Sequence, residues 1–209
     1  MSIWDTIGET YLRSIGYEPR ENLNEVCKNM SLRQAALYYQ TEYGVMLSIG
    51  EIMDGINAML ERYYRLEVSL KPGAAELLAR LQANGVRLCI VTATDRYLVE
   101  AALERCGALS YFGEIFTCNE VGHGKDEPDI FETALRFLGT KKSETVVFDD
   151  ALYAVRTAKE AGFPVAAVYD RHENAQDKVR ALADVYLEEL TQFGKRLLLY
   201  KNNAKETQL

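Results

Sequence analysis

No apolar run in this 209-residue sequence approaches the ~20 residues of a membrane-spanning helix. The opening, Met1-Ser2-Ile3-Trp4-Asp5, lacks the basic segment followed by an apolar one that marks a secretory signal. Positive charge is in short supply. The 24 Lys and Arg residues face 31 Asp and Glu, a net charge of −7, which argues against a nucleic-acid or anionic-membrane surface. The cysteines, Cys27, Cys89, Cys106 and Cys118, are scattered without C-x-x-C spacing, and Cys89 lies inside an apolar run. Core thiols in a reducing compartment are expected rather than disulfides or zinc, with the cytoplasm as the location. Internal repeats and low-complexity tracts are also missing. The rest is ordinary: 48% hydrophobic residues supply a core, and the length suits one domain or a domain with a modest insertion.

Residues 3–66 read as helices without a strand. Ile3, Trp4, Ile7, Tyr11, Leu12 and Ile15 mark one amphipathic face, closed by Gly16. Ser31 is the expected N-cap of a helix carrying Leu32, Ala35, Ala36 and Tyr39 and ending near Gly44. Ser48 or Gly50 opens another, with Ile52, Ile56, Met59, Leu60 and Tyr63 on its buried side. At Leu70-Lys71-Pro72-Gly73 the texture changes. Strands are predicted over 87–92, 114–118, 145–148 and 164–168, with a short edge strand at Val185 and Tyr186. Helices are predicted over 74–84, 97–106, 130–138, 151–161, 174–183 and 187–200, ahead of a polar tail expected to fray. This alternation implies right-handed crossovers and an α/β fold, a Rossmann-like three-layer parallel sheet beside a small helical unit.

The stretch around residues 145–162 organises the chain. A short β-branched and aromatic run ends in two carboxylates, Asp149 and Asp150, before a helix stopped by Gly162. Open α/β sheets place ligand sites at the carboxyl ends of their strands. Adjacent like charges are costly without a cation. An Mg²⁺ site is the sharp expectation; a solvated loop pair or a helix cap is the plain one. Two more strand ends carry polar groups. Thr92 follows Ile90 and Val91, and Lys125 lies in the loop from Val121 to Asp129. Alone, Thr92 reads as the cap of a turn, Lys125 as a solvated loop cation, and His123 as a loop residue with no second histidine or cysteine at ligand spacing. Together, a hydroxyl, an ammonium and a carboxylate pair at one end of a sheet suit a phosphoryl group.

Three pieces carry a resemblance: Ile90-Val91-Thr92-Ala93-Thr94; Gly124-Lys125-Asp126-Glu127-Pro128-Asp129-Ile130-Phe131; and Val146-Val147-Phe148-Asp149-Asp150 with Ala158-Lys159-Glu160-Ala161-Gly162. The chain resembles the haloacid dehalogenase-like hydrolases, in the phosphatase and β-phosphoglucomutase-like branch with a helical cap. The resemblance covers nearly the whole chain and implies a cap over 1–69 and an α/β core over 70–209. By it, Thr92 and the Ala93 amide bind the transferring phosphoryl group, and Lys125 pairs with phosphate and nucleophile. Asp150 binds Mg²⁺ directly, and Asp149 supports it or binds through water. Lys28 and Arg33, in Lys28-Asn29-Met30-Ser31-Leu32-Arg33, look like the cap segment that faces the cleft. They grip a second anionic or polar end of a small substrate, or else are exposed helix-end cations.

The resemblance also implies a first motif that this sequence does not contain. In the family, a central strand ends in Asp-x-Asp-Gly-Thr, directly before the cap. Its first Asp attacks phosphorus and its second is the general acid and base. Asp5-Thr6 follows no apolar strand and sits in a helical pattern. The expectation is a truncated gene model or late start codon, in preference to an evolved non-catalytic binding protein. The chain as given is then expected to lack its central strand, bind Mg²⁺ weakly and turn over nothing. The scaffold implied is a Mg²⁺-dependent phosphatase for small phosphorylated metabolites, since a closing cap excludes water and large substrates. A phosphosugar mutase is the alternative, with a sugar hydroxyl in place of water as acceptor.

Overall fold

The computed structural model describes residues 3, 6–27 and 30–193. Its first part is helical: α1 (Ile7–Ser14), α2 (Leu23–Cys27), α3 (Leu32–Tyr43) and α4 (Ile49–Leu66). Ser31 and Gln34 form a reciprocal cap on α3, with Ser31 Oγ accepting from the Gln34 amide at 3.3 Å and Ser31 N donating to Gln34 Oε1 at 2.6 Å. Gly44 ends that helix in the left-handed region at φ 68°. Ser48 and Glu51 repeat the device on α4, each cap being worth about 1 kcal/mol. Ser48, not Gly50, is therefore the start of α4. The buried stripe of α4 runs Ile52, Ile56, Leu60 and Tyr64. Tyr63, expected inside, flanks it and is only partly buried, because steps of four residues keep one face of a 3.6-residue helix. Tyr11, Leu12 and Tyr39 join this stripe in one core, and so do Leu98 and Ala102 from the helix Arg96–Arg105 of the next part. Gly55 is where the ring of Tyr11 crosses α4; a Cβ there would meet it at 2.6 Å.

The second part alternates. It comprises α5 (Ala74–Ala83), β1 (Ile90–Thr92), α6 (Arg96–Arg105), β2 (Ile115–Thr117), α7 (Cys118–Val121), α8 (Asp129–Leu138), β3 (Val147–Asp149), α9 (Leu152–Glu160), β4 (Val165–Val168), α10 (Gln176–Leu182) and β5 (Val185–Leu187). Every pairing is parallel, as the alternation predicted. β1 lies on β2 with Thr92 opposite Thr117. β3 lies on β4 with Asp149 opposite Ala167, and β4 on β5 with Val168 opposite Leu187. Among the described residues no ladder joins β1 to β3, so the sheet stands in two pieces. β4, paired on both sides, is buried along its whole length, whereas β1 and β3, each paired on one side only, are half-buried throughout.

Helices cover both faces of the larger piece. Val165 and Ala167 of β4 pack with Ile130, Phe131, Val155, Ala158 and Val179, while Ala166 and Val168 pack with Leu77, Leu81 and Phe193. This is the period-two alternation of a strand between two layers. α8 also contacts β1 and β2, and so bridges the two pieces. The strands expected over 87–92 and 145–148 are shorter than predicted, because a ladder forms only where a partner lies alongside. The helix expected over 187–200 gives way to the end of β5 and a 3₁₀ turn at Leu190–Gln192; residues 194–200 lie outside the described residues. α2 and α7, single short turns, are additions that no periodicity announced.

Candidate active site

β3 delivers its carboxylates at the carboxyl edge of the sheet. Asp149 is the last strand residue and Asp150 opens the turn into α9. Asp149 Oδ1 accepts from the amides of Asp150 at 2.9 Å and Ala151 at 3.1 Å. Its Oδ2 accepts from Lys125 Nζ at 2.8 Å. Both oxygens are thus engaged within the protein. Asp150 is more open, its side chain 37% exposed against 7% for Asp149. Burial, then the charge of Asp149, raises the Asp150 carboxyl above its ordinary range, and Lys71 partly offsets them. α9 finds its N-terminal acceptor far along the chain: the buried Glu173 takes the Leu152 amide at 3.1 Å and the Ala175 amide at 2.9 Å.

Lys125 reaches Asp149 from the loop between α7 and α8. Gly122, left-handed at φ 85°, ends α7 and turns the chain toward the site. The Lys125 side chain is only 14% exposed and lies over the Tyr153 ring at 6.0 Å. Burial, the largest single influence, opposes its charge, but Asp149, Tyr153 and Asp150 together outweigh it and hold the ammonium protonated above its ordinary range. It is therefore a fixed cation and not the solvated loop residue of the plain reading.

Thr92 ends β1, and its Oγ1 accepts from the Thr94 amide at 3.0 Å, closing a turn. The hydroxyl proton stays available to a ligand, so the turn-capping role and a binding role are compatible. The next residues are tied to α4. Tyr64 Oη and Thr94 Oγ1 lie 3.1 Å apart in the interior, and Asn57 Nδ2 donates to Asp95. A cleft of about 280 Å³ lies between the two parts of the chain, lined by Arg33, Met53, Ala93, Asp95, His123 and Glu127 among others. Ala93 and the exposed Arg33 thus share one opening. Lys28 lies outside the described residues.

Several neighbours were not found from the sequence. Lys71, read only as part of a turn, places Nζ 3.0 Å from Asp150 Oδ2 and against Asp170 at 2.5 Å. Asp170 follows β4 as Asp150 follows β3, so the rule that picked out one strand end could have picked out the other. His123 is joined by Glu127, 2.9 Å from its Nδ1, with Asp129 close by. The i, i+4 spacing was the signal there. For a metal, the donor set at β3 suits a hard cation such as Mg²⁺, which takes oxygen ligands. Asp150 has room to meet it, while Asp149 is spoken for.

Comparison with known proteins agrees with this geometry. The family model for haloacid dehalogenase-like hydrolases matches residues 22–162. The validoxylamine A 7'-phosphate phosphatase of Streptomyces hygroscopicus subsp. limoneus is 36% identical over 120 residues, covering 57% of this chain and 55% of that protein. Protein CbbY of Cereibacter sphaeroides is 35% identical over 132 residues, covering 58% and 57%. The chain thus spans just over half the length of these relatives. Among solved structures, CbbY from Rhodobacter sphaeroides in complex with phosphate superposes with a TM-score of 0.80 at 24% identity, over 92% of this chain and 89% of that one. A β-phosphoglucomutase from Clostridium difficile gives 0.77 at 15% identity, over 97% and 92%. At these identities the two structures show a shared fold.

Proposed function

The chain belongs to the haloacid dehalogenase-like hydrolases, and from that membership and its site we propose that it is the scaffold of a Mg²⁺-dependent phosphatase for small phosphorylated metabolites. In this reading Thr92 and the Ala93 amide donate to the peripheral oxygens of the phosphoryl group. Lys125, held by Asp149, presents a permanent positive charge to the phosphate and to the attacking carboxylate. Asp150 ligates Mg²⁺, which when bound neutralises charge on the transferring group. Asp149 acts indirectly, fixing Lys125 and the turn that carries Asp150. Residues 1–69 serve as the cap over the core of residues 70–209, and Arg33 meets the far end of the substrate across the cleft. The validoxylamine A 7'-phosphate in the name of the 36%-identical relative supports a small phosphorylated substrate.

The observation that carries the reading is the break between β1 and β3. β1 and β3, each paired on one side only, are half-buried and end in Thr92 and in Asp149-Asp150, and in this reading they are the strands that border the break. A strand ending in Asp-x-Asp-Gly-Thr, of which this sequence has none, would bring its nucleophile between those groups. We assign that strand to the break, and in this reading the sequence as given, which lacks it, is inactive by itself. Phosphate release from a panel of sugar phosphates and p-nitrophenyl phosphate with excess Mg²⁺ tests this. The expected result is no turnover. Turnover of ~1–10³ per second, abolished by Asp150→Ala, would place the nucleophile within this chain and overturn the missing-strand assignment.

A further inference from the structure

Lys71 lies between α4 and α5, remote in sequence from both carboxylates it meets. Its Nζ stands 3.0 Å from Asp150 Oδ2, bonds Asp170 Oδ2 at 2.5 Å and the Tyr169 carbonyl at 3.3 Å. Asp170 Oδ1 accepts in turn from the His172 amide at 3.0 Å, which holds its carboxylate toward Lys71. Asp170 is the better buried partner, its side chain 14% exposed against 37% for Asp150. The carboxylate proposed as the metal ligand is therefore already paired with a cation of the protein itself.

We propose that Lys71 is a built-in competitor for Asp150, so that a divalent cation binds there only by displacing the Lys71 ammonium. This rests on the assignment of Asp150 as the metal ligand. Three features support it. Both oxygens of the nearly buried Asp149 already accept bonds from within the protein, which leaves the more open Asp150 as the exchangeable carboxylate of the pair. An ammonium and a divalent ion on one carboxylate would repel each other within a few ångströms, where charge interactions are strongest. Asp170 offers Lys71 a second counter-ion, so the ammonium can leave Asp150 without becoming an unpaired, partly buried charge. The arrangement sets the metal affinity from a residue that touches neither metal nor substrate. Lys71 is a positioning residue in this sense.

The test is Mg²⁺ titration calorimetry on the full chain and its Lys71→Gln, Lys71→Arg, Asp170→Asn and Asp150→Asn variants, with melting curves alongside. Lys71→Gln is expected to bind Mg²⁺ about tenfold more tightly or better, and Lys71→Arg, which keeps the charge, to bind like the parent. Asp170→Asn removes the alternative counter-ion and is expected to weaken Mg²⁺ binding; it decides the matter if Lys71→Gln does not fold. Lys71→Gln binding no more tightly than the parent, or Asp170→Asn binding equally well, overturns the competition while the loss of binding in Asp150→Asn leaves the metal assignment standing. Unchanged binding in Asp150→Asn removes the metal assignment and the competition with it.

Discussion

Lys125 and Asp149 meet at 2.8 Å with both side chains largely withdrawn from water, at 14% and 7% exposure. The pair ties the loop after α7 to the end of β3, and Asp149 uses its other oxygen to hold the backbone of the turn that follows. A buried ion pair adds little when compared with a well-packed apolar pair, but breaking it by removing one partner is costly.

Lys125→Met therefore leaves the Asp149 carboxylate buried without its cation, and is expected to cost about 3–5 kcal/mol. Urea denaturation measures it. A loss under about 1 kcal/mol, the ordinary range for an exposed pair, would mean that Lys125 is as solvated as a lone loop lysine.

Tyr64→Phe removes the hydroxyl that faces Thr94 Oγ1 in the interior. The expected cost is about 1–3 kcal/mol, the range for a buried polar group deprived of a partner. The change should also loosen the link between α4 and the turn that carries Thr92. A shift in the amide resonances of residues 92–95 reports this; unperturbed resonances would contradict it.

The parts of this structure that local patterns specify were legible in the sequence. Ser31, Gly44 and Ser48 set helix ends through a hydroxyl acceptor or a positive φ, each a property of one residue and its near neighbours. The strand at 165–168 reads as an apolar run because it is buried on both faces. The Thr92, Lys125 and Asp149-Asp150 groups stood out because each follows an apolar run or sits in a glycine-bearing loop. Lys71, Glu173 and Asn57 did not, for a different reason. Each acts on a partner brought close only by tertiary packing, at sequence separations no period encodes. The short strands have the same origin, since ladder length depends on the neighbour alongside.

Asp184 supplies the pH dependence. Burial works against its charge, but Lys159 Nζ at 2.7 Å and the Val165 amide at 2.7 Å hold its carboxyl below the ordinary range. A depressed folded-state value means stability that is present above the unfolded value near ~3.9 and lost as the pH falls through the folded one. Asp184→Asn should therefore lower the melting temperature at pH 6, with the gap to the parent closing below about pH 4. A gap that stays constant down to pH 2 would assign the effect to packing.

Arg33→Ala, made in a chain extended by the Asp-x-Asp-Gly-Thr strand, should raise KM about tenfold with kcat little changed. This is the signature of uniform binding lost at a site remote from the reacting bond. Arg33 is exposed and lines the cleft beside Ala93, so melting should be unaffected. An unchanged KM would reduce it to an exposed helix-end cation.

The central claim is that a strand bearing the nucleophile belongs in the break between β1 and β3. Filling the break would pair backbone groups on both bordering strands, each worth ~1–3 kcal/mol if buried and unpaired, and would cover an edge that invites aggregation. The direct measurement compares melting and phosphate release for the chain as given, the chain extended upstream by that strand, and the extended chain with the first motif Asp changed to Asn. The extended chain should melt higher than the original and release phosphate at ~1–10³ per second, while the Asn form keeps the higher melting temperature and releases none. An extended chain that melts no higher, or an Asn form that releases phosphate as fast as the Asp form, would contradict the claim.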